Sequence, residues 1–117
     1  MADPPRMYHN PRCSKSRAAL ALLRDRGIEP EIVEYLKTPP DLETLRALVG
    51  MLGIRPRELL RTGEAEYREL GLDDPGLPDE RILQAMVDHP RLIERPIVVQ
   101  GGRARLGRPP ERVLEVL

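Results

Sequence analysis

Phenylalanine and tryptophan are both absent from the 117 residues, and tyrosine occurs three times. A core without those rings must be aliphatic, and the 40% apolar fraction supplies enough Leu, Ile, Val, Ala and Met for one domain spanning 1–117. Cysteine occurs once, at Cys13, which excludes an internal disulfide and with it a stapled secreted scaffold. One Cys and two His at scattered positions form no ligand pattern, so no metal is expected. Net charge is missing too: 19 basic and 19 acidic residues cancel and are spread along the chain. That leaves no one-signed patch of the kind nucleic acid or an acidic membrane surface requires. No apolar run approaches a membrane span, and no signal peptide is expected from the polar Met1–Arg6 stretch. The cytoplasm is the expected compartment, where a lone thiol stays reduced. A monomer is expected.

What is present reads as alternating strands and helices. Arg6–Asn10 is a strand candidate stopped by Pro11. Ser14–Arg26 has an apolar stripe through Ala19, Leu22 and Leu23, and Gly27 follows it. Glu31–Leu36 is a second strand, and so short a strand–helix–strand unit must be parallel with a right-handed crossover. A helical stretch follows, with Asp41 as N-cap and further helices around 56–60, 65–70 and 79–88. Ile97–Gln100 and Arg103–Leu106 flank Gly101-Gly102 as a β-hairpin, and a closing helix is predicted over Glu111–Val116. The order predicts an α/β, thioredoxin-like, four-stranded mixed sheet. A helical insertion of about residues 40–90 separates its β-α-β and β-β-α halves.

Cys13 is the residue with chemistry. It follows a strand and a turn and immediately precedes a helix, so the unpaired N–H groups around Ser14, Lys15 and Ser16 favour thiolate over thiol. The same groups form a cradle for an oxyanion. Ser16 stands where a CxxC motif has its second cysteine, so an intramolecular disulfide cycle is impossible. An adduct on Cys13 must be resolved by an outside thiol. Arg61, Arg95 and Arg108 are placed to converge on the helix head as guanidinium donors. Arg95 precedes Pro96 where the thioredoxin fold sets a cis-proline facing the active thiol, so this peptide bond is predicted to be cis.

The segment YHNPRCSKSR (Tyr8 to Arg17) resembles the signature of the glutaredoxin-coupled arsenate reductase family. RELLR, YRELGL, HPRLIERPIVV and RARLGRPPE match that family in order and spacing from Met7 to Leu117. The resemblance implies an arsenate reductase with Cys13 as nucleophile and Arg61, Arg95 and Arg108 holding the arsenate oxygens. It further implies that His9 helps keep Cys13 as thiolate, with Ser16 near the thiol and Pro96 in support. No bound cofactor is implied; glutathione is the co-substrate and glutaredoxin the transient partner. Two alternatives share the fold: a glutathione-dependent thiol reductase without arsenate activity, and a non-enzymatic Spx-like regulator that binds RNA polymerase. Intact arginines argue against the regulator.

Overall fold

The computed structural model describes residues 3–117. They group into two compact units, one of residues up to Thr38 together with Arg95–Leu117, the other Pro39–Glu94. The insertion expected over about 40–90 falls within the second.

In the first unit β1 (Arg6–His9), α1 (Ser14–Asp25) and β2 (Glu31–Glu34) form the crossover, with β1 parallel to β2. β3 (Ile97–Gln100) lies antiparallel to β1, β4 (Arg103–Leu106) lies antiparallel to β3, and the strand order is β2-β1-β3-β4. This is the thioredoxin-like mixed sheet. The β3–β4 turn is made by Gly101 and Gly102 at φ 57° and 78°, a left-handed pair that side chains rarely tolerate.

The inner face of α1 is Ser16, Ala19 and Leu23, spaced at helical intervals, while Leu22 is only half-buried. Ala19 and Leu23 pack with Met7, Val98, Val113 and Val116, all at most 2% exposed. Each large side chain in such a core contributes about 1.5–3 kcal/mol of burial. The core is aliphatic, as the composition requires.

Two elements are tighter than expected. β2 stops at Glu34, because the N–H groups of Lys37 and Thr38 both turn back to its carbonyl at 2.9 and 3.0 Å. The closing segment, Pro110–Val116, is a 3-10 helix rather than an α-helix. Val113 and Val116, one turn apart in it, lie on one face toward the core.

In the second unit α2 (Leu42–Leu52) packs against α4 (Asp79–Asp88), and both contact a 3-10 turn at Pro56–Leu59. A short α3 (Ala65–Glu69) lies between them in sequence. Asp41 caps α2 by accepting the Thr44 N–H at 2.8 Å. A further 3-10 turn at Pro90–Leu92 leads to Ile93, which bridges Leu60.

Candidate active site

The site begins in the turn between β1 and α1. Asn10 organises it from a buried position. Its carbonyl accepts the Cys13 N–H at 3.0 Å and its Oδ1 accepts the Arg12 N–H at 3.0 Å. Its own N–H donates to Ser16 Oγ at 3.3 Å. The turn is thereby tied to the first turn of α1 from both sides. An Asn ahead of a proline is a turn signal, and the strand expected over Arg6–Asn10 accordingly ends one residue earlier, at His9.

Cys13 is the N-cap of α1, in extended backbone at φ −92° and ψ 123°. Burial pushes its thiol up. The Ser16 N–H, the Arg95 guanidinium as hydrogen-bond donor, the Lys15 N–H and the Arg95 charge together outweigh burial, and the thiol lies below its ordinary range. Lys15 therefore acts through its backbone, and Ser16 stands near the thiol as expected.

Arg95 is delivered by the residue before β3, and the Arg95–Pro96 bond is cis, as the sequence predicts. A second cis bond, Arg108–Pro109, was not anticipated. Arg108 is anchored by Nε donating to the Arg95 carbonyl at 2.9 Å. The first unit thus brings together Cys13, Ser16, Arg95, Pro96 and Arg108.

Arg61 belongs to the second unit. Its Nη1 donates to Glu94 Oε1 at 2.7 Å, and its Nε reaches Glu64 Oε1 at 3.4 Å. Its backbone N–H donates to the Leu92 carbonyl at 2.8 Å. The expectation that it is one of three guanidinium donors for an oxyanion did not include these two carboxylates. Glu94 is 33 residues away and no local pattern announces it.

His9, the last residue of β1, is buried. Burial, with Arg24 and Arg17 nearby, lowers its pKa against the pull of Glu34. His9 lines a groove along α1 with Pro11, Arg17, Leu20, Ala21 and Arg24, and Cys13 is not part of that lining.

Among the described residues no group of three or more His, Cys, Asp or Glu is placed to hold a metal ion. Among them, too, no helix is long and apolar enough to cross a membrane.

A mixed four-stranded sheet that presents one activated thiol on a helix head, beside a proline-anchored arginine, defines a thioredoxin-like thiol protein. Within that class the chain belongs to the ArsC family, whose model matches residues 8–116. It is 58% identical over 113 residues to an uncharacterized protein of Escherichia coli K12, covering 96% of this chain and 95% of that one. It is 51% identical over 113 residues to an arsenate reductase of Neisseria meningitidis, covering 96% of this chain and 97% of that one. The solved structure of an arsenate reductase from Vibrio cholerae superposes with a TM-score of 0.96 at 51% identity, covering both chains completely.

Proposed function

We propose that the chain is an arsenate reductase that works through one cysteine and an external thiol in the cytoplasm. The observation that carries the reading is the arrangement at the helix head: a thiol lowered by the first-turn N–H groups and the Arg95 guanidinium, and a second guanidinium, Arg108, fixed to the Arg95 carbonyl. The relatives named as arsenate reductases at about half identity support it.

Arsenate docks against the helix head, and Arg95 and Arg108, with Arg61 on the strength of the family resemblance, neutralise its charge. Cys13 thiolate forms a sulfur–arsenic bond while one arsenate oxygen leaves as water after protonation. A molecule of glutathione then attacks the adduct. Its sulfur and that of Cys13 supply the two electrons that take As(V) to As(III), arsenite departs, and a mixed disulfide remains on Cys13. Glutaredoxin removes that disulfide. Ser16 in place of a second cysteine supports the external thiol, because the chain itself holds no other sulfur nucleophile.

The test is arsenate-dependent NADPH oxidation in the presence of glutathione, glutaredoxin and glutathione reductase. Turnover by wild type and its loss in Cys13→Ser are expected. A wild type that consumes no NADPH with arsenate, while reducing a glutathione mixed disulfide, would replace this reading by the thiol-reductase one.

A further inference from the structure

We propose that Gly107 is a positioning residue for the thiol site: the missing side chain lets the end of β4 seat against the Pro96 ring and so fixes where Arg95 meets Cys13. The inference deepens the reading of Cys13 as the reactive thiol and rests on it.

The argument starts from space. A Cβ at Gly107 would lie 2.6 Å from Pro96 Cγ, 3.2 Å from Pro96 Cδ and 3.0 Å from Val113 Cγ1. Carbon atoms in contact sit at about 3.5–4.0 Å, so the first of these distances is a hard overlap. At the other glycines the contrast is clear. Seven of them have nothing within 4 Å of such a Cβ, and Gly76 meets only the Asp74 carboxylate at 3.3 Å. Nor is Gly107 required for its backbone angles, since the positive-φ glycines are Gly27, Gly53, Gly71, Gly101 and Gly102. What position 107 demands is the absence of a side chain.

The atoms it meets cannot step aside cheaply. Pro96 is a closed ring on a buried residue, without the rotamers of a flexible chain end. Val113 is fully buried in the aliphatic core. An added methyl must therefore separate the two backbone segments.

That separation reaches the thiol by two hydrogen bonds. Gly107 N–H donates to the Pro96 carbonyl at 2.9 Å, and Arg108 Nε donates to the Arg95 carbonyl at 2.9 Å. Residues 107 and 108 thus grip the consecutive carbonyls of 95 and 96. β3 is also paired to β1, with Ile97 opposite Tyr8, so Arg95 and Cys13 leave neighbouring strands. Pushing the start of β3 away from β4 alters the approach of the Arg95 guanidinium to the sulfur.

The experiment is iodoacetamide alkylation of Cys13 against pH in Gly107→Ala, with Val113→Ala as control and thermal melting of both. In Gly107→Ala the thiol titration is expected to move up, and alkylation near pH 6 to fall several-fold, about tenfold for each unit of rise. Val113→Ala opens a cavity in the same core and is expected to lower the melting temperature while leaving the titration in place. A Gly107→Ala titration superimposable on wild type overturns the proposal, as does an equal rise in Val113→Ala, which would indicate general loosening. Should Gly107→Ala not fold, Pro96→Ala removes the ring from the other side of the contact. It is read in the same way: a raised titration supports the proposal and an unchanged one overturns it. Alkylation needs no arsenate, so a raised titration in an enzyme that never reduces arsenate leaves the positioning role standing and rejects the substrate.

Discussion

Arg95→Ala separates the contribution of the guanidinium to the thiol from that of the helix. Burial alone raises the Cys13 thiol, and what opposes it is the Ser16 and Lys15 N–H groups together with Arg95, which acts both as hydrogen-bond donor and as charge. A hydrogen bond to a charged group is worth about 1.5–3 kcal/mol, and Cys13 is partly exposed, so solvent screening favours the lower figure. About 1.4 kcal/mol is a factor of ten in an equilibrium. Arg95→Ala is therefore expected to cut the thiolate fraction, and the alkylation rate near pH 6, on the order of tenfold. At strongly alkaline pH, where both proteins are fully ionised, the two rates should converge. Arg95→Lys retains charge but loses the planar fork, and its rate should fall between the two. The assay is second-order alkylation followed by intact-mass spectrometry across pH. Profiles for wild type and Arg95→Ala that agree within about twofold near pH 6 would refute the reasoning and assign the thiolate to the helix head alone.

Other expectations follow from the same structure. Because the folded thiol is depressed, its stabilisation is fully present above the unfolded value of about 8.5 and is lost as pH falls through the folded titration. Urea midpoints of wild type minus Cys13→Ser should therefore grow toward alkaline pH, and a pH-independent difference would contradict this. His9 is also lowered, from 6.5, so the unfolded chain takes its proton first and stability should decline as pH drops below that value. His9→Gln should remove that decline, measured by the same titration. Arg61→Ala removes one cation from two partly buried carboxylates, Glu64 and Glu94, whose side chains are 18% and 21% exposed. A cost of about 1–3 kcal/mol by chemical denaturation is expected, so its effect on turnover must be read against stability. Leu23→Ala, at a fully buried position, should cost about 2–5 kcal/mol, whereas Gly50→Ala in α2, where a Cβ meets nothing, should be neutral or stabilising by up to about 1 kcal/mol.

What the sequence discloses and what it conceals divide along a physical line. The order β-α-β then β-β-α, the cysteine on a helix head and the Gly101-Gly102 turn are written in neighbours, because periodicity, caps and turn residues act over a few positions. Arg95 and Arg108 were legible for the same reason, each lying at the edge of a readable strand. Arg61's engagement with Glu94 was not, since nothing local ties a guanidinium to a carboxylate 33 residues on. Asn10 reads in sequence as the end of the first strand, and its place in the turn comes from the contacts that bury it and hold the cysteine loop. Gly107 and Pro96 show the limit most sharply. In sequence each reads as punctuation, a residue that ends one element or opens another. In the fold each is the other's contact surface. Punctuation residues constrain a site when two of them meet across a sheet: the two-residue Gly101-Gly102 turn sets the register of β3 on β4, Ile97 opposite Leu106, but no local pattern shows that the residues flanking that last pair touch. The arginine at this site is therefore placed by a proline and a glycine that have no functional groups of their own.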